Sequence, residues 1–143
     1  MGAESTAVQL RVRYCECDPM GVVHHAAYAP WLEIARTELL RGLGKSYAEL
    51  ESEGVLMVVV KLEVAYRRPV RYDDVVEVSC GVRGGGRVKI EHEYGVRVVA
   101  QSAHGPAGEV RTGHVCAVAR TVLACVDRAG RVRELPGWLV GGG

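Results

Sequence analysis

The densest group of chemically active side chains lies between Asp18 and Tyr28, in the stretch DPMGVVHHAAY. A carboxylate at Asp18 can attack a carbonyl carbon as a nucleophile or take a proton from water as a general base. His25 can orient substrate or water, or hydrogen-bond the carboxylate. Asp18 also begins an Asp-Pro-x-Gly turn, which favours aspartate because its side chain accepts hydrogen bonds from its own backbone. The residue types alone therefore leave a catalytic and a structural role open.

The spacing of apolar residues predicts the elements that position this stretch. Apolar and polar residues alternate from Val8 to Tyr14, which predicts a half-buried strand before the Asp18 turn. Apolar residues then recur every three or four positions, which predicts an amphipathic helix that begins near 25–27 and stops at 42–44. Unpaired N–H groups at a helix start carry the positive end of its dipole, so the amides around His25 to Ala27 are candidates for an oxyanion hole.

The rest of the chain has the pattern of an antiparallel sheet. A capping box at Ser46 predicts a short second helix, which Gly54 ends. The predicted strands, turn and loop are Val55–Tyr66, Val75–Val82, a hairpin turn at 84–86, Val88–Val99, an irregular loop at 101–109 and Val115–Val126. One long helix with one sheet to cover indicates an α+β fold, in a single domain over residues 1–143.

The composition argues against several classes of partner. The formal net charge of +1 gives no electrostatic basis for binding nucleic acid or an anionic membrane. The N-terminus lacks a secretory signal, and no segment has the roughly 18 consecutive apolar residues of a membrane span. The five cysteines include one close pair, Cys15 and Cys17, which lacks the spacing of a metal site. We therefore expect a cytoplasmic protein with reduced thiols, no metal and no cofactor.

The segment from Arg11 to Arg41, RVRYCECDPMGVVHHAAYAPWLEIARTELLR, carries a dense resemblance to a known family. It resembles the hotdog-fold thioesterases related to 4-hydroxybenzoyl-CoA thioesterase and, more closely, the Tol-Pal-associated acyl-CoA thioesterases. Val64–Asp74 and Leu123–Asp127 extend the similarity. The resemblance implies one long central helix wrapped by a roughly five-stranded antiparallel sheet. It also implies hydrolysis of acyl-CoA substrates by a homodimer or homotetramer.

The resemblance assigns roles to individual residues. It implies that Asp18 is the catalytic carboxylate, that His25 acts beside it, and that the thioester carbonyl lies at the helix start. Tyr28 is a candidate substrate contact, although its position on an amphipathic helix also fits a core role. The phosphates of coenzyme A require a cationic patch away from Asp18. The candidates are Arg67, Arg68 and Arg71 after the long strand, and Arg87 with Lys89, the pair that the resemblance favours.

Two other functions remain open at this stage. A hotdog hydratase or dehydratase would use a histidine and an acid near the helix to add water to an acyl thioester or remove it. A non-catalytic module would bind acyl-CoA without turnover. The loop at 101–109 is longer than is usual for the family, and His24 stands where an aromatic residue is common. The acyl group, short aliphatic or aromatic, and the role of the long loop are therefore left open.

Overall fold

A computed structural model of the chain describes residues 5–140. The first four and last three residues of the predicted domain, including 141–143 of the terminal glycine run, lie outside the described residues. The elements are β1 (Ser5–Arg11), α1 (Tyr28–Gly42), α2 (Tyr47–Ser52), β2 (Leu56–Tyr66), β3 (Val75–Gly85), β4 (Lys89–Ala100) and β5 (Val115–Val126). The strands form one antiparallel sheet in the order β1-β3-β4-β5-β2. The predicted α+β architecture of one long helix on a five-stranded sheet is confirmed.

The long helix packs on the sheet through one apolar stripe. Trp31, Leu32 and Ala35 are almost completely buried, and they belong to the same core cluster as the inward-facing valines of β3 and β4. Burying one such large apolar side chain stabilises the fold by roughly 1.5–3 kcal/mol. Glu33 and Ile34 lie on the opposite side of the helix and are exposed. This stripe fixes the helix start, and with it the segment around His25, against the sheet.

The strands differ in how much of their surface is exposed. Buried and more exposed residues alternate along β3 and β4, as expected for strands with one face against the core. β2 is an edge strand, and eight of its eleven residues are exposed. Its exposed large apolar side chains are Val58, Val59, Val60, Leu62 and Tyr66. A long apolar edge of this kind is a ready template for pairing with another strand.

Two predicted boundaries were wrong. The first strand ends at Arg11, and Tyr14 lies in a 3₁₀ turn with its side chain 80% exposed. The chain turns there because the Glu16 carboxylate accepts the Arg13 backbone N–H at 2.8 Å. The predicted glycine turn is also shorter, because β3 continues through Gly84 and Gly85, which pair with β4.

The helical predictions hold with small changes. A 3₁₀ turn at His25–Ala27 precedes α1, which ends at Gly42. The capping box of α2 is present, with Ser46 accepting the Glu49 N–H at 3.2 Å and donating its own N–H to the Glu49 carboxylate.

The predicted loop at 101–109 is irregular and continues to the start of β5. Within residues 5–140, no helix is long and apolar enough to cross a membrane.

Candidate active site

Asp18 begins a tight turn and lines an open cleft at the same time. Its Oδ1 atom accepts the backbone N–H of Met20 at 2.9 Å and that of Val22 at 3.3 Å. Its carbonyl accepts the Gly21 N–H at 2.9 Å, and Gly21 has a φ of 79°, which favours glycine. No residue in the described range donates a hydrogen bond to Oδ2. One carboxylate oxygen therefore fixes the turn, while the other has no protein partner there.

The same turn occurs a second time, at Asp127, away from this cleft. Asp127 Oδ1 accepts the N–H groups of Ala129 and Arg131, each at 2.9 Å. Its carbonyl accepts the Gly130 N–H, and Gly130 has a φ of 81°. Asp127 follows the far end of β5, whereas Asp18 lies near the end at which β5 begins. The turn itself thus explains an aspartate at both positions, and Asp18 in addition has the adjoining cleft and helix start.

A buried carboxylate holds the Asp18 segment against α1. Glu16 is 8% exposed, and its Oε2 accepts the indole N–H of Trp31 at 2.8 Å. Its backbone carbonyl accepts the His24 N–H at 2.8 Å. Burial opposes ionisation of Glu16, but hydrogen bonds from the Arg13 backbone, Trp31 and the Arg13 guanidinium together hold its pKa below the usual range. Glu16 is therefore a buried anion that joins both sides of the Asp18 turn to the helix.

The helix start offers fewer free amides than the sequence predicted. The Ala26 N–H is bonded to the His24 ring at 3.1 Å, and the Ala27 N–H is bonded to the His24 carbonyl at 2.9 Å. Among residues 5–140, no acceptor is assigned to the His25 N–H. The oxyanion-hole prediction is thus narrowed from three amides to that of His25. His24 is the cap of this turn, a role that its sequence position did not reveal.

Asp18 and His25 line neighbouring depressions on the surface of the chain. The Asp18 cleft has a volume of about 590 Å³ and includes Gly21, whereas the His25 depression, of about 320 Å³, includes Val22. The two linings meet at the adjacent residues Gly21 and Val22.

Tyrosines form part of the His25 depression. Tyr28 is 3% exposed, with its ring 5.0 Å from those of Trp31 and Tyr66, and burial raises its pKa well above the usual range. Its main contacts are those of a core residue, which was the alternative considered for it. Tyr66 was missed by the sequence reasoning. Its hydroxyl donates to the His25 carbonyl at 3.1 Å, so the end of β2 supports the segment that carries the candidate amide.

A family model matches most of the chain. The model, described as the Thioesterase-like superfamily, covers residues 12–141. The chain belongs to this superfamily. The predicted relationship to hotdog-fold acyl-CoA thioesterases is thereby confirmed at the level of the family.

Named relatives of this thioesterase-like chain include acyl-CoA thioesterases. It is 33% identical over 112 residues to the putative acyl-CoA thioesterase YneP of Bacillus subtilis, covering 76% of each chain. It is 45% identical over 70 residues to the acyl-CoA thioester hydrolase YbgC of Escherichia coli, covering 49% of this chain and 52% of that protein. A solved structure of DHNA-CoA thioesterase from Staphylococcus aureus superposes with a TM-score of 0.80 at 27% identity, covering 92% of this chain and 80% of the other.

The predicted cationic residues of this thioesterase-like chain fall into two places. Arg67 and Arg68 line the His25 depression, and their side chains have no assigned acidic partner in the described range. Arg71 is unsuited to binding phosphate, because it donates two hydrogen bonds to Glu109, at 2.6 and 3.0 Å. Of the three arginines after β2, the first two therefore remain available for an anionic ligand.

Arg87 and Lys89 lie at the other end of the β3–β4 hairpin from the Asp18 turn. Lys89 begins β4, while the turn contacts the chain just before β3, where Val22 bridges to Arg71. A strand of eleven residues spans roughly 36 Å, so the pair cannot meet Asp18 within one chain. Arg87 also pairs with Glu134, with both side chains largely exposed. One chain thus does not bring these two predicted residues together with Asp18.

The long loop of this thioesterase-like chain is anchored by an ionic network that the sequence analysis did not identify. Arg111 and Asp74 are 1% and 0% exposed, and they form two hydrogen bonds of 2.9 Å. Burial opposes ionisation of Asp74, but the Arg111 hydrogen bonds and backbone donors hold its pKa below the usual range. Glu109 joins Arg71 to Arg111, and the Arg71 hydrogen bond leads the effects that lower its pKa to about 2. No group of three or more potential metal ligands occurs within the described residues.

Proposed function

We propose that this protein hydrolyses acyl-CoA thioesters to a free acid and coenzyme A, with Asp18 as the catalytic carboxylate. The observation that carries the proposal is the position of Asp18 beside an open cleft whose lining continues, from Gly21 to Val22, into that of the depression that His25 lines. The named activities of YneP and YbgC support the same reaction class. His25 contributes its backbone N–H to the carbonyl oxygen, which becomes negatively charged in the transition state.

Two chemical routes lead to the same products. In the first, Asp18 attacks the thioester carbon, the carbon–sulfur bond breaks as the thiolate of coenzyme A leaves, and water then hydrolyses the mixed anhydride that remains. In the second, Asp18 takes a proton from water as the water attacks the same carbon. Label that enters Asp18 during a single turnover in water enriched in oxygen-18 supports the nucleophilic route. Label confined to the released acid arises from the general base, and also from an anhydride that water opens at its acyl carbon. Borohydride added during turnover decides that case, because it reduces Asp18 only where the anhydride forms.

A homodimer formed through the β2 edge fits the exposed apolar surface of that strand. Val58, Val60 and Leu62 are between 41% and 52% exposed, a pattern that suits a strand paired with a second copy. Antiparallel pairing of two β2 strands would extend the sheet across both subunits. Pairing of two dimers gives the homotetramer that we also propose.

Such a dimer would bring the second cationic group to the site. With antiparallel β2 strands, the hairpin end of one subunit lies at the same end of the sheet as the Asp18 turn of the other. Three strand spacings, about 14 Å, separate β2 from the β4 of the partner. Arg87 and Lys89 of the partner subunit then bind the coenzyme A phosphates together with Arg67, while Tyr28 forms the inner wall near the thioester. We place this chemistry in the cytoplasm, within one domain.

A thiol-release assay over aliphatic and aromatic acyl-CoAs tests the proposed activity. The expected result is stoichiometric release of coenzyme A and free acid from at least one substrate class. Water addition to an enoyl-CoA without thiol release would support a hydratase instead. Tight binding of acyl-CoA with no turnover across the panel would support a binding module. Either of these two results contradicts the proposal.

A further inference from the structure

The cleft beside Asp18 has aromatic walls contributed by three separate segments. Tyr14 from the turn after β1 packs edge-on against Tyr72, with ring centroids 5.3 Å apart. Tyr72 packs edge-on against His104 of the long loop, at 4.9 Å. Met20, which is 81% exposed, completes the rim next to Asp18. Aromatic side chains prefer such edge-to-face contacts with one another and with a bound ring.

The wall formed by His104 is rigidly positioned. The Ser102 N–H donates to the buried Asp74 at 2.7 Å, and the Ser102 hydroxyl accepts the His104 N–H at 3.2 Å. Gly105 packs so tightly on the Arg71 side chain that an added Cβ would lie 2.5 Å from Arg71 Cδ. Its φ of 109° adds a second requirement for glycine. These contacts hold the segment that carries His104 over this cleft.

The charge of the cleft suits a neutral group. Arg71 lines the cleft, but Glu109 accepts two of its hydrogen bonds, so its charge is already compensated. Asp18 adds a negative charge, which disfavours a carboxylate or phosphate nearby. The uncompensated arginines, Arg67 and Arg68, lie instead in the His25 depression on the β2 side. The phosphate-bearing end of coenzyme A therefore fits that side, and the acyl end fits the cleft.

Proximity to Asp18 selects which part of the substrate the cleft can hold. Asp18 is itself a wall residue, so a group in the cleft lies next to the reacting carbonyl. When the thioester lies at Asp18, the pantetheine arm keeps the adenine ring too far away to reach this position. We propose, on the basis of the thioesterase function above, that the cleft walled by Tyr14, Tyr72 and His104 binds the acyl group and favours flat, uncharged aromatic acyl groups.

Two substitutions at exposed wall residues test this specificity without disturbing the core. His104→Ala and Tyr14→Ala each remove one ring, and His114→Ala is the matched control because His114 lies outside the cleft. Thiol release gives kcat/KM for benzoyl-CoA and butyryl-CoA, and thermal unfolding verifies that each variant is folded. The wild type should prefer benzoyl-CoA. Each wall variant should lower kcat/KM for benzoyl-CoA by about three- to tenfold, the scale of one aromatic contact, with little change for butyryl-CoA.

The possible outcomes separate this inference from the function on which it rests. Equal losses for both substrates, or no loss for either, in a wild-type enzyme that turns over acyl-CoA would overturn the aromatic specificity alone. Weaker inhibition by free coenzyme A in His104→Ala would overturn it too, because the cleft would then hold the coenzyme arm. If the wild type releases no thiol from any acyl-CoA, the proposed function fails first and this inference with it.

Discussion

Trp31 of the long helix donates its indole N–H to the buried carboxylate of Glu16, 2.8 Å away and fifteen residues earlier in the chain. The same Glu16 accepts the backbone N–H of Arg13, and its own carbonyl accepts that of His24. The Asp18 turn lies between these two attachment points. The position of the candidate catalytic carboxylate therefore depends on how α1 packs, through one side-chain contact.

Substitution of Trp31 by phenylalanine should destabilise the protein and slow the reaction. The change retains an aromatic ring but leaves the Glu16 carboxylate without one of its donors in a buried position. The expected loss in the free energy of unfolding is about 1–3 kcal/mol, measured by urea denaturation. Trp138→Phe is the control, because Trp138 is 37% exposed and should change stability by less than about 0.5 kcal/mol. Equal stability of both variants would contradict the role assigned to the Glu16 contact.

The features that local pattern could predict were the turn, the helices and most strands. The Asp18 turn follows from four adjacent residues, and α1 follows from its three-to-four spacing. The capping box at Ser46 is likewise a local signal, and the structure contains it. These elements are predictable because the interactions that define them join residues close together in the chain.

The features that could not be predicted depend on contacts between distant residues. Nothing local indicates that Glu16 is buried against Trp31, or that its carboxylate accepts the Arg13 N–H and turns the chain before Tyr14. Arg111 and Asp74 are separated by 37 positions, and each looks like a surface residue in the sequence. The predicted number of free amides at the helix start was also too high, because the His24 ring accepts the Ala26 N–H and the His24 carbonyl accepts that of Ala27.

Introducing a charge at the β2 edge should separate the proposed dimer. Val60 is 52% exposed, and lysine there would place an ammonium group within the paired strands. Val60→Lys should be monomeric by light scattering and should lose activity, because the partner's Arg87 and Lys89 would no longer reach the site. Val110→Lys, at a residue 64% exposed in the long loop, should retain the wild-type state. A wild type that is monomeric at assay concentration would rule out the shared site.

The stability of the protein should fall as the pH drops from about 6.5 to about 4 because of His92. His92 is 6% exposed, and burial, followed by repulsion from Arg36, lowers its pKa to about 4. Its Nδ1 has no hydrogen-bond partner among the described residues. Above pH 6.5 His92 is neutral in the folded and the unfolded state, so it does not change the free energy of unfolding. Below that pH the unfolded chain takes up the proton first. The free energy of unfolding therefore falls, by about 3 kcal/mol in total, until the pH passes the pKa of His92 in the folded state.

Urea denaturation between pH 7 and pH 4 checks this loss. The His92→Gln variant lacks the titrating group, so its stability should fall less steeply over the same interval. Parallel profiles for the wild type and the variant would show that another group governs acid sensitivity in this range.

The role of Asp18 is tested most directly by comparing Asp18→Asn with Asp127→Asn. Asparagine keeps a side-chain oxygen for the two backbone donors at each turn, so both variants should fold with wild-type stability. Only the first loses a negative charge beside the cleft. We expect kcat in thiol release to fall at least about 100-fold for Asp18→Asn, with Asp127→Asn close to the wild type. A folded Asp18→Asn enzyme that retains the wild-type rate would show that Asp18 only forms its turn, and would contradict the account.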